Sequence, residues 1–226
     1  MTEHKHEEHK EHKTEDSWDS TTKIVAALIG ILLIVLIYNG VRMSNISKEG
    51  IDGGTSATLD SSILPKGIPL VYGAELGVSF DDISTSAPQK ADATIGKLGN
   101  LDRTLTLTGD NLKRYTEIVL KISCEYCCGA ASIIFNDGSA ACGCAHSFAM
   151  RGLAKYLIKN HGTEFGDDQI LEELGKWKVL FFPEIHMQKA AVLKQQGIEL
   201  SYINLASNLY RGIEKGASGG AMVGGC

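Results

Sequence analysis

The chain has 226 residues, 43% of them hydrophobic and 22% charged, the balance of a globular domain with appendages. A net charge of −5 and the lack of any long basic run argue against nucleic acid as a partner. No phosphate-cradling glycine loop, HExxH, GxSxG or suitably spaced Ser/His/Asp set is present, so the usual catalytic templates are missing.

Residues 1–22 carry His4, His6, His9 and His12 among Glu and Lys, with almost no apolar side chains. Such a segment buries no core, and a disordered His-rich tail is expected. It reads either as a solvated tail or as a weak, pH-dependent metal chelator built of neutral imidazoles. Ile24 to Val41 is then an uncharged run of eighteen residues, near the minimum for a helix that crosses a bilayer. No convincing cleavage site follows it, so residues 23–42 read as a transmembrane signal anchor. Lys5, Lys10, Lys13 and Lys23 precede the run, against Arg42 and Lys48 after it. This asymmetry predicts a single-pass membrane protein with a cytoplasmic N-terminus, an extracytoplasmic C-terminal domain and the membrane as partner through residues 24–41.

Residues 43–67, rich in Ser, Gly, Thr and Asp, read as a linker, and residues 68–214 as a folded, Cys-rich domain. A short helix is expected over about 90–98, with Ile95 and Leu98 inward, and residues 103–107 alternate as a strand should. Asp110 is a good N-cap for a helix carrying Leu112, Tyr115, Ile118 and Val119, with a strand over 115–122 as the competing reading. Residues 131–135, the turn Asn136-Asp137-Gly138 and residues 139–142 read as a β-hairpin. With Asp137-Gly138 as its loop, Phe135 faces Ala140, Ile133 faces Cys142 and Ala131 faces Cys144. Three helices follow: about 145–160, one from Gly166-Asp167 with Ile170, Leu174 and Trp177 on one stripe, and 184–196. A weaker amphipathic segment covers about 204–213, and residues 215–226 are a flexible Gly-rich arm ending in Cys226. The expected fold class is α+β: an N-terminal transmembrane helix, then a small domain in which a Cys-bearing β-hairpin precedes a helical bundle.

The chemistry is concentrated in six cysteines. Five lie between positions 124 and 144, as Cys124-Glu125-Tyr126-Cys127-Cys128 and Cys142-Gly143-Cys144-Ala145-His146, and Cys226 is the last residue. Thiolates this dense either hold a soft metal or exchange disulfides. The hairpin register returns the second group to the first, so one joint site is expected. A CxxC turn, a hairpin and a second ligand pair at the entry to a helix is how treble-clef-type zinc sites are assembled, and the helix N-terminus favours thiolate. Cys124, Cys127 or Cys128, Cys142 and Cys144 would make a four-sulfur site in which His146 can replace one ligand. Five or six soft ligands also suit copper(I), including a small multinuclear cluster. Cys226, on its arm, can close an open position or hand a metal over. The metal candidates are therefore Cys124, Cys127, Cys128, Cys142, Cys144, His146 and Cys226, with zinc or copper as the ion and a metal-donor or redox protein as partner. A redox-active dithiol and a pair of structural disulfides across the hairpin remain open beside that reading. His161 reads as a capping or surface residue, and His186 and Met187 as packing or surface residues. Asp81-Asp82 and Asp167-Asp168 read as turn and helix-start charges.

The stretch 142–183 resembles the helical domain of the CcmH type of cytochrome c maturation protein. The likeness lies in Cys142 and Cys144 opening a helix, in Gly166-Asp167-Asp168-Gln169-Ile170 starting the next, and in Phe181-Phe182-Pro183 closing it. Ala141-Cys142-Gly143-Cys144 also resembles the PCYCGC motif of small secreted bacterial proteins. The CcmH resemblance implies a membrane-anchored, outward-facing thiol reductant of apocytochrome c. This chain departs from that pattern by CxC in place of CxxC, by the upstream CxxCC and by the terminal Cys, and the extra sulfurs point toward a metal. The expected function is a membrane-anchored, outward-facing metal-binding protein acting in metal binding, transfer or sensing. The alternatives are a CcmH-like thiol-disulfide oxidoreductase and a disulfide-stabilised structural domain.

Overall fold

The computed structural model describes residue 19 and residues 21–33, 61–215 and 222–224. The chain divides into two compact units, Met1–Ser56 and Ala57–Cys226. In the first, helix α1 covers residues 21–33. Asp19 starts it: its carboxylate accepts hydrogen bonds from the Thr22 N–H and hydroxyl, both at 2.7 Å. The α1 side chains from Ile24 to Leu33 that are large and apolar are exposed.

The expected transmembrane anchor over 23–42 is corrected here. Among the described residues no helix is long and apolar enough to cross a membrane. The membrane partner through residues 24–41 and the single-pass topology, with its extracytoplasmic domain, fall with it. Residues 34–41 of that run lie outside the described residues, as do the four tail histidines, most of the linker and Cys226.

The second unit is helical. Its helices are α2 (Gly73–Leu76), α3 (Pro88–Thr104), α4 (Gly109–Val119), α5 (Ala145–His161), α6 (Asp167–Phe181), α7 (Pro183–Gln195) and α8 (Tyr202–Ala206). Proline at the first position of α3 and α7 suits a site whose N–H has no intrahelical partner. Gly166 caps α6, where Gln169 Oε1 accepts the Gly166 N–H at 2.7 Å. Helix α5 is central. Its residues Ala149, Met150, Leu153, Ala154 and Leu157 are all fully buried, which takes neighbours on more than one face. Helix α3 lies against it most closely, because position 152 is glycine. A Cβ there would fall 2.0 Å from the Leu98 carbonyl oxygen and 2.8 Å from the Asp102 nitrogen. Across the crossing, Asp102 pairs with Arg151 at 2.8 Å and Lys155 at 2.7 Å. Helices α4 and α6 complete the surround of α5, and Trp177 of α6 donates to Tyr72 Oη at 2.8 Å.

The α+β expectation is overturned. Among the described residues there is no sheet, only two isolated antiparallel bridges, Ile122 with Ser207 and Ile134 with Ala140. The expected strand over 103–107 does not form, since Arg103 and Thr104 finish α3. Burial of Ile95, Leu98 and Gly99 together with the Asp102 ion pairs outweighs the alternation of those residues. Over 115–119, α4 wins over the competing strand, and Ile122 beyond it makes a single bridge to Ser207.

The hairpin is a turn without strands. The Phe135 N–H donates to the Ser139 carbonyl at 2.8 Å and the Gly138 N–H to the Phe135 carbonyl at 2.9 Å. Gly138 sits at φ 82°, so the loop has three residues and Ile134 opposes Ala140, one residue off the expected register. Beyond Ala141 N–H to Ile133 O at 3.1 Å the pairing ends. There the buried Arg151 guanidinium takes over, donating to the carbonyls of Ile133 at 3.2 Å and Cys142 at 2.8 Å. A cation has replaced the ladder.

Candidate metal centre

The first cysteine group follows α4 as a tight turn. The N–H groups of Cys127 and Cys128 both donate to the Cys124 carbonyl, at 3.4 and 3.3 Å, which gathers three sulfurs. The two residues between the cysteines anchor the turn inward. Glu125 meets Lys178 at 3.0 Å and Arg211 at 3.5 Å, all but Arg211 deeply buried. The Tyr126 hydroxyl donates to Glu214 at 3.1 Å, and its ring packs edge-on to Phe182 and His186. Gly129, at φ 68°, then reverses the chain, and Arg211 donates to the carbonyls of Gly129 and Ala130 at 2.8 and 3.0 Å. The second group is set by Arg151 at Cys142 and by the start of α5 at Cys144, whose Sγ accepts the Ser147 N–H at 3.4 Å.

No disulfide joins the five described cysteines to one another. Their Sγ atoms form two triads, Cys124–Cys127–Cys144 and Cys124–Cys128–Cys142, each with all its sulfurs within 4.8 Å of one another. An ion bound at about 2.3 Å by three sulfurs needs them about 4 Å apart. The cluster can hold a metal ion. Cys124 and Cys142 are buried, Cys144 is half-buried, and Cys127 and Cys128 are exposed, so solvent reaches the sulfurs from one side.

The sulfurs differ in protonation. Cys144 lies 3.2 Å from Cys124 Sγ, and the Cys124 thiol donates to it. That bond, opposed by burial and helped by the Ser147 hydroxyl and N–H, holds Cys144 far below the ordinary thiol range as a thiolate. The same bond, then burial, pushes Cys124 far up. Burial, then Cys128, raises Cys142. Beneath them Lys178 is lowered by burial to about 8, with Glu125 and Cys124 working against that shift.

Of the residues named from sequence, the structure brings Cys124, Cys127, Cys128, Cys142 and Cys144 together. His146 lies at the edge, in neither triad. Its Nε2 contacts the Val223 carbonyl at 3.1 Å and, since a carbonyl only accepts, carries the proton. Its ring packs on Phe181 and Phe182, and its Nδ1 is buried without a hydrogen-bond partner among the described residues. Cys226 is outside the described residues. His161 is no surface cap: it is buried between Glu164 at 2.8 Å and Glu75 at 3.2 Å. His186 packs fully buried, with Nδ1 on the Phe182 carbonyl at 2.8 Å. Asp82 is more than a turn charge, accepting from Thr94 and pairing with Lys90 at 2.9 Å. Asp167 at the α6 start pairs with Arg114 at 2.7 Å.

Arg151, Lys178, Lys189 and Arg211 were missed by the sequence reading, and the first three are almost fully buried. A signal was present for two of them. Lys178 continues the Ile170, Leu174 stripe at the next helical turn, and Lys189 stands between His186 and Leu193 in another. A charge inside an apolar stripe marks a buried ion pair. No family model, no curated protein and no solved structure matches this chain.

Proposed function

We propose that this chain is a metal-binding protein whose thiolate centre takes a soft ion, copper or zinc, in metal binding, transfer or sensing. The observation that carries this reading is the convergence of five cysteines in two overlapping triads at metal-ligand spacing. The arrangement also suits exchange of the ion. Buried Cys124 and Cys142 give a fixed base, while Cys127 and Cys128 face solvent, where a donor or acceptor protein can reach them. His146 Nδ1 is a further donor on the Cys144 side. The test is elemental analysis of the reduced full chain, prepared anaerobically with zinc and copper(I) supplied. At least one ion per chain is expected, lost on Cys142→Ser, and no retained metal overturns the reading.

A second reading, thiol-disulfide exchange, draws on the 3.2 Å contact between a Cys144 thiolate and the Cys124 thiol. It agrees with the CcmH-like resemblance of residues 142–183. Here Cys144 attacks a substrate disulfide and expels one thiolate. Cys124, deprotonated in turn, attacks the mixed disulfide and expels the other, so the substrate is reduced and Cys124–Cys144 oxidised. Equilibration in glutathione buffers tests it: a reversible two-electron Cys124–Cys144 bond in metal-free protein supports exchange, and its absence removes that reading.

A further inference from the structure

We infer that the centre is a two-ion copper(I) cluster in which the Cys124 thiolate bridges the ions, one completed by Cys127 and Cys144 and the other by Cys128 and Cys142. This rests on the metal-binding reading above and adds the number of ions, their identity and the bridging ligand.

The partition of the sulfurs carries the inference. Cys127 and Cys128 are adjacent in the chain, yet they belong to different triads, and Cys142 and Cys144 are likewise divided. Each short motif therefore sends one sulfur to each side, and only Cys124 of the described cysteines is common to both. A single four-sulfur ion would need both members of at least one motif at the same centre. The division follows from the backbone. The shared Cys124 carbonyl fixes both N–H groups of the Cys127-Cys128 turn, whereas Arg151 holds the Cys142 carbonyl and the α5 start holds Cys144.

Ligand number then selects the ion. Two four-coordinate zinc ions sharing one sulfur would need seven ligands, while two three-coordinate ions sharing one sulfur need five. Among the described residues the two triads hold five sulfurs between them, and His146 belongs to neither. Copper(I), soft, monovalent and satisfied by three thiolates, fits both triads. On loading, each sulfur still protonated releases its proton to solvent and copper stays copper(I), so no electron acceptor is needed. Five thiolates and two monovalent ions leave negative charge on the cluster. Lys178, buried and electrostatically coupled to Cys124 beside the bridge, is placed to offset part of it.

The test is a count. The reduced full chain is loaded anaerobically with excess copper(I) in a weak competing ligand, cleared of excess and weighed by native mass spectrometry. Two ions per chain are expected, falling to one in Cys127→Ser and one in Cys128→Ser, and to none in Cys124→Ser. Cys127 and Cys128 are exposed, so those two serine variants keep the fold, which far-UV circular dichroism checks. One ion in the parent chain, or two in either exposed-cysteine variant, overturns the bridged pair and leaves the metal-binding reading standing. No ion in the parent chain overturns both.

Discussion

The α3–α5 crossing and the cysteine turns are adjacent in the molecule and held together in different ways. The crossing is regular helix on regular helix, closed by Gly152 against Leu98 and by buried side chains along both helices. The turns carry almost no regular structure. Distant cations hold their backbone carbonyls: Arg151 on Ile133 and Cys142, and Arg211 on Gly129 and Ala130. Packing repeats with a period that residues announce locally. A guanidinium reaching a carbonyl many positions away announces nothing in the sequence it supports.

The largest expected effect comes from breaking the packed side. Gly152→Ala drives a methyl into the Leu98 carbonyl, backbone that cannot swing aside, and should cost about 3 kcal/mol or more. Thermal unfolding measures it, and a melting temperature within a degree of the parent would show that the helices separate freely.

Breaking the charged side comes next. Lys178→Met leaves Glu125 buried with Arg211, at 3.5 Å, and the more distant Lys189 charge. A loss of about 2 to 3 kcal/mol is expected, below the cost of an entirely unpaired buried charge. Because Glu125 sits between Cys124 and Cys127, copper(I) retention against a chelator should fall as well. Unchanged retention in a folded variant would separate the ion pair from the cluster. Arg151→Met should act the same way at Cys142, with the Asp102 side partly compensated by Lys155.

A third measurement sharpens the contrast within the cluster. Cys144 is held as a thiolate while Cys124 and Cys142 are held protonated. In metal-free protein, alkylation of Cys144 should therefore change little between pH 5 and 8, while that of Cys124 and Cys142 rises with pH. Parallel pH dependence at all three sulfurs would refute the assigned proton positions.

The smallest effect lies at the far end of α5. Burial opposes protonation of His161, but Glu164 and Glu75 outweigh it and raise its pKa above the ordinary value of 6.5. A raised folded-state pKa stabilises the protein fully below the unfolded value, and this stabilisation is lost as pH climbs through the folded one. The parent should thus lose stability from pH 6 toward pH 8 at this site, and His161→Gln should flatten that part of the profile. An identical profile in the variant would dismiss the contribution.

Helices α5, α6 and α7 were readable almost to their ends because capping residues, Pro183 and apolar stripes are local. The hairpin was half readable. Asn136-Asp137-Gly138 does turn the chain, but the register slipped by one residue and no strands followed, since Arg151 satisfies the carbonyls that a ladder would have used. The uncharged run from Ile24 was read as a membrane span from its length, its lack of charge and its flanks, and among the described residues no helix is long and apolar enough to cross a membrane.

By itself the sequence determined that five sulfurs cluster near one helix start and that helices follow, because ligand spacing and helical periodicity are properties of neighbours in the chain. Only the tertiary structure decided that the cysteines divide into two triads around Cys124, and that Cys144 carries the thiolate. Those outcomes depend on where Arg151, Lys178, Arg211 and Ser147 arrive in space, and long-range burial and hydrogen bonding, not sequence distance, set their positions.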